Sequence, residues 1–234
     1  MISHIHSLLN RQNLFSRRAL TIAVLFIAGL ALFLTVYDGV QEKEDLASFD
    51  LPLLTWMIAN QNQQLTTAMT ILTDIMSPIG VSIMTLAGGA LWAWRTKDYW
   101  RPALLTGAVA LAFVLSAIIK TFTARQRPTL TDLVDMNAAI SYSFPSGHVI
   151  GTAVLLLVLA YFFCIKKPTF HRLLTWSIAT IIGITLVAFS RIYLGYHWLT
   201  DVVASVGLAM MILAIVIAVD TYADVRRRAI SKAV

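Results

Sequence analysis

Crossing the hydrocarbon core of a bilayer takes about 20 mostly apolar residues in a helix. Six stretches of this 234-residue chain qualify or come close: 19–37, 76–94, 103–122, 147–165, 173–193 and 200–219. Backbone polar groups in lipid must be satisfied within their own segment, so runs of this length read as helices. Composition agrees, with 58% hydrophobic residues, 13% charged ones and a mean hydropathy of +0.76. A soluble domain carries about 45–50% apolar and about 25% charged residues. The expectation is an all-α polytopic membrane protein: six transmembrane helices in one bundle, with 1–234 forming one membrane-embedded domain.

Two spans carry qualifications. The second is interrupted by Pro78, Gly80, Gly88 and Gly89, and its start is not marked. The first follows Arg17 and Arg18, like the basic flank of a signal peptide, but ends in Thr35-Val36-Tyr37-Asp38 with no small-residue cleavage site. It is read as an uncleaved span. Between these two, 50–60 reads as a short interfacial helix, with Asp50 as its cap, Pro52 in its first turn, and Leu51, Leu54, Met57 and Ile58 on one apolar face.

Lys and Arg set the orientation. The N-terminal tail, the 2–3 and 4–5 connections and the C-terminal tail hold 13 of the 18 basic residues. Of the acidic residues, only Asp98, Asp220 and Asp224 share that side. Both termini are therefore expected in the cytoplasm. Aromatic residues mark the two interfaces: Trp92, Trp94, Tyr99 and Trp100 at one, Tyr193, Tyr196 and Trp198 at the other. The net charge of +6 is explained by this topology, and no nucleic-acid partner is expected. The lone Cys164 excludes an intrachain disulfide and any multi-cysteine metal site.

Against this apolar background the remaining polar residues stand out. Lys120 ends the third span, with Arg127 and Pro128 just beyond it; Ser143-Phe144-Pro145-Ser146-Gly147-His148 leads into the fourth. Ser190-Arg191 ends the fifth, and His197 and Asp201 open the sixth. Taken singly, each has an ordinary explanation: a lysine at a span end snorkels, and an aspartate in a first turn complements the helix dipole. Together they fall at the same, extracytoplasmic, end of the bundle. Ionisable groups at membrane depth are costly and so mark function.

The chemistry they suit is that of a phosphoryl group, whose peripheral oxygens need fixed cations and N–H donors. Lys120, Arg127 and Arg191 supply positive charge. The start of the fourth helix at Ser146-Gly147-His148 offers unpaired amides, the Ser146 hydroxyl and a glycine that lets the backbone approach. His197 and Asp201, four apart, share a face, so the carboxylate can hold one ring nitrogen and leave the other free to attack. His148 then protonates the leaving oxygen. Arg125 and Asp74 gain no comparable support and are left outside the site. Two histidines and a carboxylate can ligate zinc, but three clustered cations would repel it, so no metal is expected.

Lys120-x6-Arg127-Pro128, then Pro145-Ser146-Gly147-His148, then Ser190-Arg191-x5-His197-x3-Asp201 resembles the three-part signature of the type-2 phosphatidic acid phosphatases. These are membrane lipid phosphate phosphatases, relatives of glucose-6-phosphatase and the vanadium haloperoxidases. The resemblance extends over about 70–220. It implies the six-helix fold of that family, catalysis without cofactor or metal, His197 as nucleophile, Asp201 as its partner and His148 as general acid. It implies that Lys120, Arg127, Ser146, Gly147 and Arg191 hold the phosphate. Bacterial members of similar size act on undecaprenyl diphosphate, phosphatidylglycerol phosphate, phosphatidate or related lipids at the outer face of the inner membrane.

Two other readings use the same residues. A phosphotransferase would pass the phosphoryl group to a second lipid through the same phosphoenzyme. A transporter or binding protein would hold a phospholipid in the cationic pocket without chemistry, but it has no need of an oriented imidazole. No obligate protein partner is evident. The 129–141 connection, with Asp132 and Asp135, is a candidate lid.

Overall fold

The computed structural model describes residues 2–128, 142–165 and 168–233, and the candidate lid therefore lies outside the described residues. Eight α-helices are present among them: α1 (Ile2–Glu42), α2 (Asp50–Ala59), α3 (Gln63–Ile75), α4 (Pro78–Thr96), α5 (Trp100–Thr123), α6 (Gly147–Ile165), α7 (Phe170–Tyr193) and α8 (Leu199–Ala233). A short 3-10 turn, Asp45–Phe49, precedes α2. The protein is an all-α polytopic membrane protein. Five helices are long and apolar enough to cross a bilayer, and α3 with α4 make a sixth span if they are counted as one, bent by 52°.

That bend explains the unmarked start of the second span. Asn62 caps α3 by accepting from the Leu65 amide at 2.9 Å, and Ser77 caps α4 by accepting from the Gly80 amide at 3.1 Å, with Pro78 in the first turn of α4. Two helix starts so close together break the axis. The first and last helices in the sequence run well past the spans expected for them, because no proline or glycine stops α1 before Gly29 or α8 after Gly207.

Helices α6 and α8 form the centre. Val81 of α4, Ala108 and Ala112 of α5, Ile150, Val154 and Val158 of α6 and Ala209 and Ile212 of α8 share one buried cluster. Helix α1 lies along α8, where the two backbones meet at Gly29 and Gly207. A Cβ on Gly29 would stand 2.6 Å from the Gly207 carbonyl oxygen, and one on Gly207 would stand 2.8 Å from the Gly29 carbonyl oxygen. Small residues at such crossings let helices pack by van der Waals contact in lipid. Gly207→Leu should therefore force α1 off α8, at about 1–3 kcal/mol for overpacking. The measurement is thermal unfolding in detergent, where the variant should melt several degrees below wild type.

Outer faces carry exposed Ile27, Ile83, Phe122 and Ile181, the apolar coat a lipid-facing surface requires. At the basic end, Trp100 Nε1 and the Tyr161 hydroxyl each donate to the buried Asp220 carboxylate at 2.9 Å, tying α5, α6 and α8 together. At the other end the starts of α6 and α8 and the ends of α5 and α7 converge.

Candidate active site

The convergence is built by backbone contacts. Ala124 stands in the left-handed region (φ 47°) just after α5 and closes that helix by donating to the Lys120 carbonyl at 3.0 Å. The Ser143 amide donates to the Arg125 carbonyl at 2.8 Å, drawing the approach to α6 against the end of α5. Lys120 Nζ donates to the carbonyl oxygens of Tyr142 at 2.6 Å and Ser143 at 3.1 Å. The Ser205 hydroxyl, one turn beyond Asp201, accepts from the Ser146 amide at 2.9 Å and donates to the Asp201 carbonyl at 2.6 Å, which joins α6 to α8.

A tight turn sets His197. After α7 the chain reverses at Gly195, whose φ of 75° lies in the left-handed region that favours glycine. The Tyr196 and His197 amides then both donate to the Arg191 carbonyl, at 3.0 and 3.2 Å. Gly195→Ala should cost about 1–2 kcal/mol for the left-handed backbone and pull the imidazole away from Asp201. A loss of kcat larger than the loss of thermal stability would register that displacement.

Asp201 holds the imidazole from the first turn of α8. Its Oδ2 lies 3.1 Å from His197 Nδ1 and accepts from the Trp198 amide at 3.0 Å, so it also satisfies a helix-start donor. His197 Nε2 lies 3.2 Å from Arg127 Nη1. A guanidinium donates only, so Nε2 accepts, and the proton of the neutral ring sits on Nδ1 facing Asp201. Burial, and next the nearby charges of Arg127, Arg191, Lys120 and Arg125, push the pKa of His197 well below its ordinary value. Both effects favour the neutral ring, with the Nε2 lone pair turned toward Arg127.

Around it stand the other residues expected from the sequence. Arg191 is buried, donates from Nη1 to the Thr73 hydroxyl at 2.7 Å and lies over the Tyr196 ring at 4.4 Å, while its Nε has no partner among the described residues. Arg127 Nη1 also donates to the Tyr196 carbonyl at 2.8 Å. His148 opens α6, with Arg191, His197, Arg127 and Lys120 around it. Ser146 is buried with its hydroxyl unpaired. All eight expected residues therefore gather at this end of the bundle.

Several details depart from the sequence reading. The Ser146 amide is taken by Ser205 and by the Asp201 carbonyl, so the free first-turn amides of α6 begin at Gly147. A Cβ on Gly147 would meet Pro78 at an ordinary 3.7 Å, so protein packing alone does not demand glycine there. The Ser190 hydroxyl turns back to the Val187 carbonyl at 2.7 Å and does not enter the site.

Arg125 belongs to the cluster from which the sequence reading excluded it. Its Nη1 donates to Asp201 Oδ1 at 2.6 Å and its Nη2 to Asp50 Oδ2 at 2.7 Å. Asp50 does not cap its own helix; it accepts from the Thr200 amide at 3.0 Å and so serves the start of α8. Asp74 stays exposed.

The PAP2 superfamily matches residues 101–224, more than half of the sequence and all of the motif positions. The chain belongs to the PAP2 superfamily. Among its PAP2 relatives, phosphatidylglycerophosphatase B of Bacillus subtilis is 30% identical over 136 residues, covering 57% of this chain and 64% of that protein. Lipid A 4'-phosphatase of Porphyromonas gingivalis is 29% identical over 161 residues, covering 58% and 65%. The chain thus spans just under two thirds of the length of these relatives. The crystal structure of a transmembrane PAP2 type phosphatidylglycerolphosphate phosphatase from Bacillus subtilis matches with a TM-score of 0.68 at 24% identity, over 86% of this chain and 96% of that one. At that identity the likeness is one of fold. Asp50 and Thr73 lie outside the matched PAP2 region, yet reach the site through α2 and α3.

Proposed function

We propose that this PAP2 protein hydrolyses the terminal phosphate of a membrane lipid phosphate or diphosphate, such as undecaprenyl diphosphate, phosphatidylglycerol phosphate or phosphatidate, through a phosphohistidine. The observation that carries the reading is the geometry of His197: Nδ1 lies 3.1 Å from Asp201 Oδ2 and Nε2 lies 3.2 Å from Arg127 Nη1. Nε2 attacks phosphorus in line with the leaving oxygen. The P–O bond to the lipid breaks as the P–N bond forms, and His148 gives its proton to the leaving oxygen. The ring's new positive charge is held against Asp201. Water then attacks phosphorus and passes a proton to His148, and cleavage of the P–N bond returns neutral His197 and inorganic phosphate.

Charge supports this assignment. Arg125 is matched by Asp50, so Lys120, Arg127 and Arg191 set against Asp201 leave +2, the complement of a phosphate dianion. Those cations take the part a metal would play, so catalysis proceeds without one. The positive-inside bias supports a site on the extracytoplasmic face of a bacterial inner membrane, with both termini in the cytoplasm.

A panel of lipid phosphates and diphosphates, assayed in detergent with and without chelator, tests the reading. Phosphate release that persists in chelator is expected; saturable binding of every lipid with no release would overturn it. Labelled donor incubated with an acceptor lipid separates transfer from hydrolysis. The pH profile carries its own expectation. Attack needs neutral His197, whose activity is lost as pH falls through its folded pKa. Because that pKa is lowered, the acid limb of kcat/KM should lie below about pH 6.5, the ordinary histidine value. A limb centred above that value would contradict the buried, cation-flanked ring.

A further inference from the structure

Arg125 and Asp50 form a buried polar group that the phosphoryl-transfer chemistry leaves unused. The Arg125 fork reaches three acceptors: Asp201 Oδ1 at 2.6 Å, the Thr200 hydroxyl at 2.7 Å and Asp50 Oδ2 at 2.7 Å. Asp50 completes a ring of contacts by accepting from the Thr200 hydroxyl at 2.6 Å and the Thr200 amide at 3.0 Å. Trp198 flanks the guanidinium at 5.5 Å. The Asp50 and Asp201 side chains are 5% and 0% exposed, so water does little to hold either carboxylate in place.

The two oxygens of Asp201 divide their work. Oδ2 serves the His197 ring and the Trp198 amide, whereas Oδ1 serves Arg125. Without Arg125, Oδ1 keeps only the Ser143 hydroxyl at 3.5 Å. A carboxylate anchored on one side alone can rotate about its bond to Cβ and lose the Nδ1 contact. The two-pronged geometry of arginine resists that rotation in a way a lysine point charge does not.

We propose that Arg125, anchored by Asp50 from α2, is a positioning residue that locks the Asp201 carboxylate so that His197 keeps its Nδ1–H tautomer and an unprotonated Nε2. Neither residue touches the phosphoryl group; both act through Asp201. The proposal rests on the phosphohistidine reading for its effect on turnover, but the histidine tautomer can be read without turnover.

The groups facing His197 are Asp201 from α8, Lys120 from α5, Arg125 and Arg127 from the segment after α5, Arg191 from α7 and His148 from α6. Removing the Arg125 charge therefore raises the pH at which His197 loses its proton. Removing the Asp50 charge leaves Arg125 less compensated and lowers it. A general loss of structure would not move the two variants in opposite directions.

The test uses the full chain in detergent, with dioctanoyl phosphatidate as probe, for wild type, Arg125→Met, Arg125→Lys and Asp50→Asn. Each is first checked by gel filtration and circular dichroism. Arg125→Met should lower kcat by about 100-fold with little change in KM, as expected for a misplaced reacting group. Its acid limb should move to higher pH. Arg125→Lys should recover part of the rate, and Asp50→Asn should lose about tenfold with its acid limb moved to lower pH. In Asp50→Asn/Arg125→Met the loss should match that of Arg125→Met alone, because Asp50 acts through Arg125. Nitrogen-15 spectra of histidine-labelled protein, with His197 assigned from His197→Asn, follow the same tautomer and titration directly.

If wild type releases no phosphate from any lipid while the spectra shift as stated, the phosphatase reading fails and the lock stands. If Arg125→Met keeps kcat within twofold of wild type, or the His197 signals titrate alike in all variants, the lock is wrong. Should Arg125→Met fail to fold, Asp50→Asn decides, and an unshifted His197 titration there overturns the proposal.

Discussion

Replacing His197 with alanine should abolish phosphate release, by about four orders of magnitude or more. Removing a nucleophile whose partners act only through it costs nearly as much as removing the whole constellation. No other residue can substitute. His148 sits across the site at the start of α6, where Arg191, Arg127 and Lys120 surround it and none of the described contacts joins it to a carboxylate. The check is a rapid quench with lipid labelled at its terminal phosphate. Wild type should trap base-stable, acid-labile label on protein, and His197→Ala should trap none. Wild-type turnover in purified His197→Ala would remove the phosphohistidine from the mechanism.

Asp201→Asn should lose about 10⁴ in kcat, the scale seen when an orienting aspartate of a histidine pair becomes an amide. An asparagine NH2 turned toward His197 would donate to Nδ1 and shift the ring proton to Nε2, the atom that must attack. The same change leaves Arg125 facing a weaker acceptor and removes the negative charge that balances the ring once phosphorylated. Substrate binding should suffer less, because Lys120, Arg127 and Arg191 keep their charges. The expected signature is therefore a large fall in kcat with KM changed severalfold at most, measured by steady-state release of inorganic phosphate.

Much of the site was legible in the sequence, for a physical reason. In an apolar chain an ionisable group at a span end is conspicuous, and the bundle topology alone puts Lys120, His148, Arg191 and His197 at one end. Arg125 was not legible, since a cation between Lys120 and Arg127 looks like another boundary charge. Its meaning depends on Asp50, 75 residues away in sequence, which local pattern assigns to capping its own helix. Ser205 carried a usable signal: a hydroxyl four residues after Asp201, on the same helical face and in an otherwise apolar run. The second span read from the sequence, 76–94, corresponds to α4 alone; the capped helix before it, α3, was not read as part of that span because Asn62 and Ser77 each begin a new axis. That break matters to the site, since α3 delivers Thr73 to Arg191 and α4 brings Pro78 beside Gly147.

The Arg191 carbonyl receives both the Tyr196 and His197 amides, while its guanidinium stands among the charged groups near His197. The proposed nucleophile and one of the proposed phosphate-holding cations are thus fastened to one backbone unit at the tip of α7. A tilt of that helix in the bilayer would carry both backbones together, while the imidazole stays tethered to Asp201 of α8 and the guanidinium to Thr73 of α3, so the turn is where movements of three helices meet.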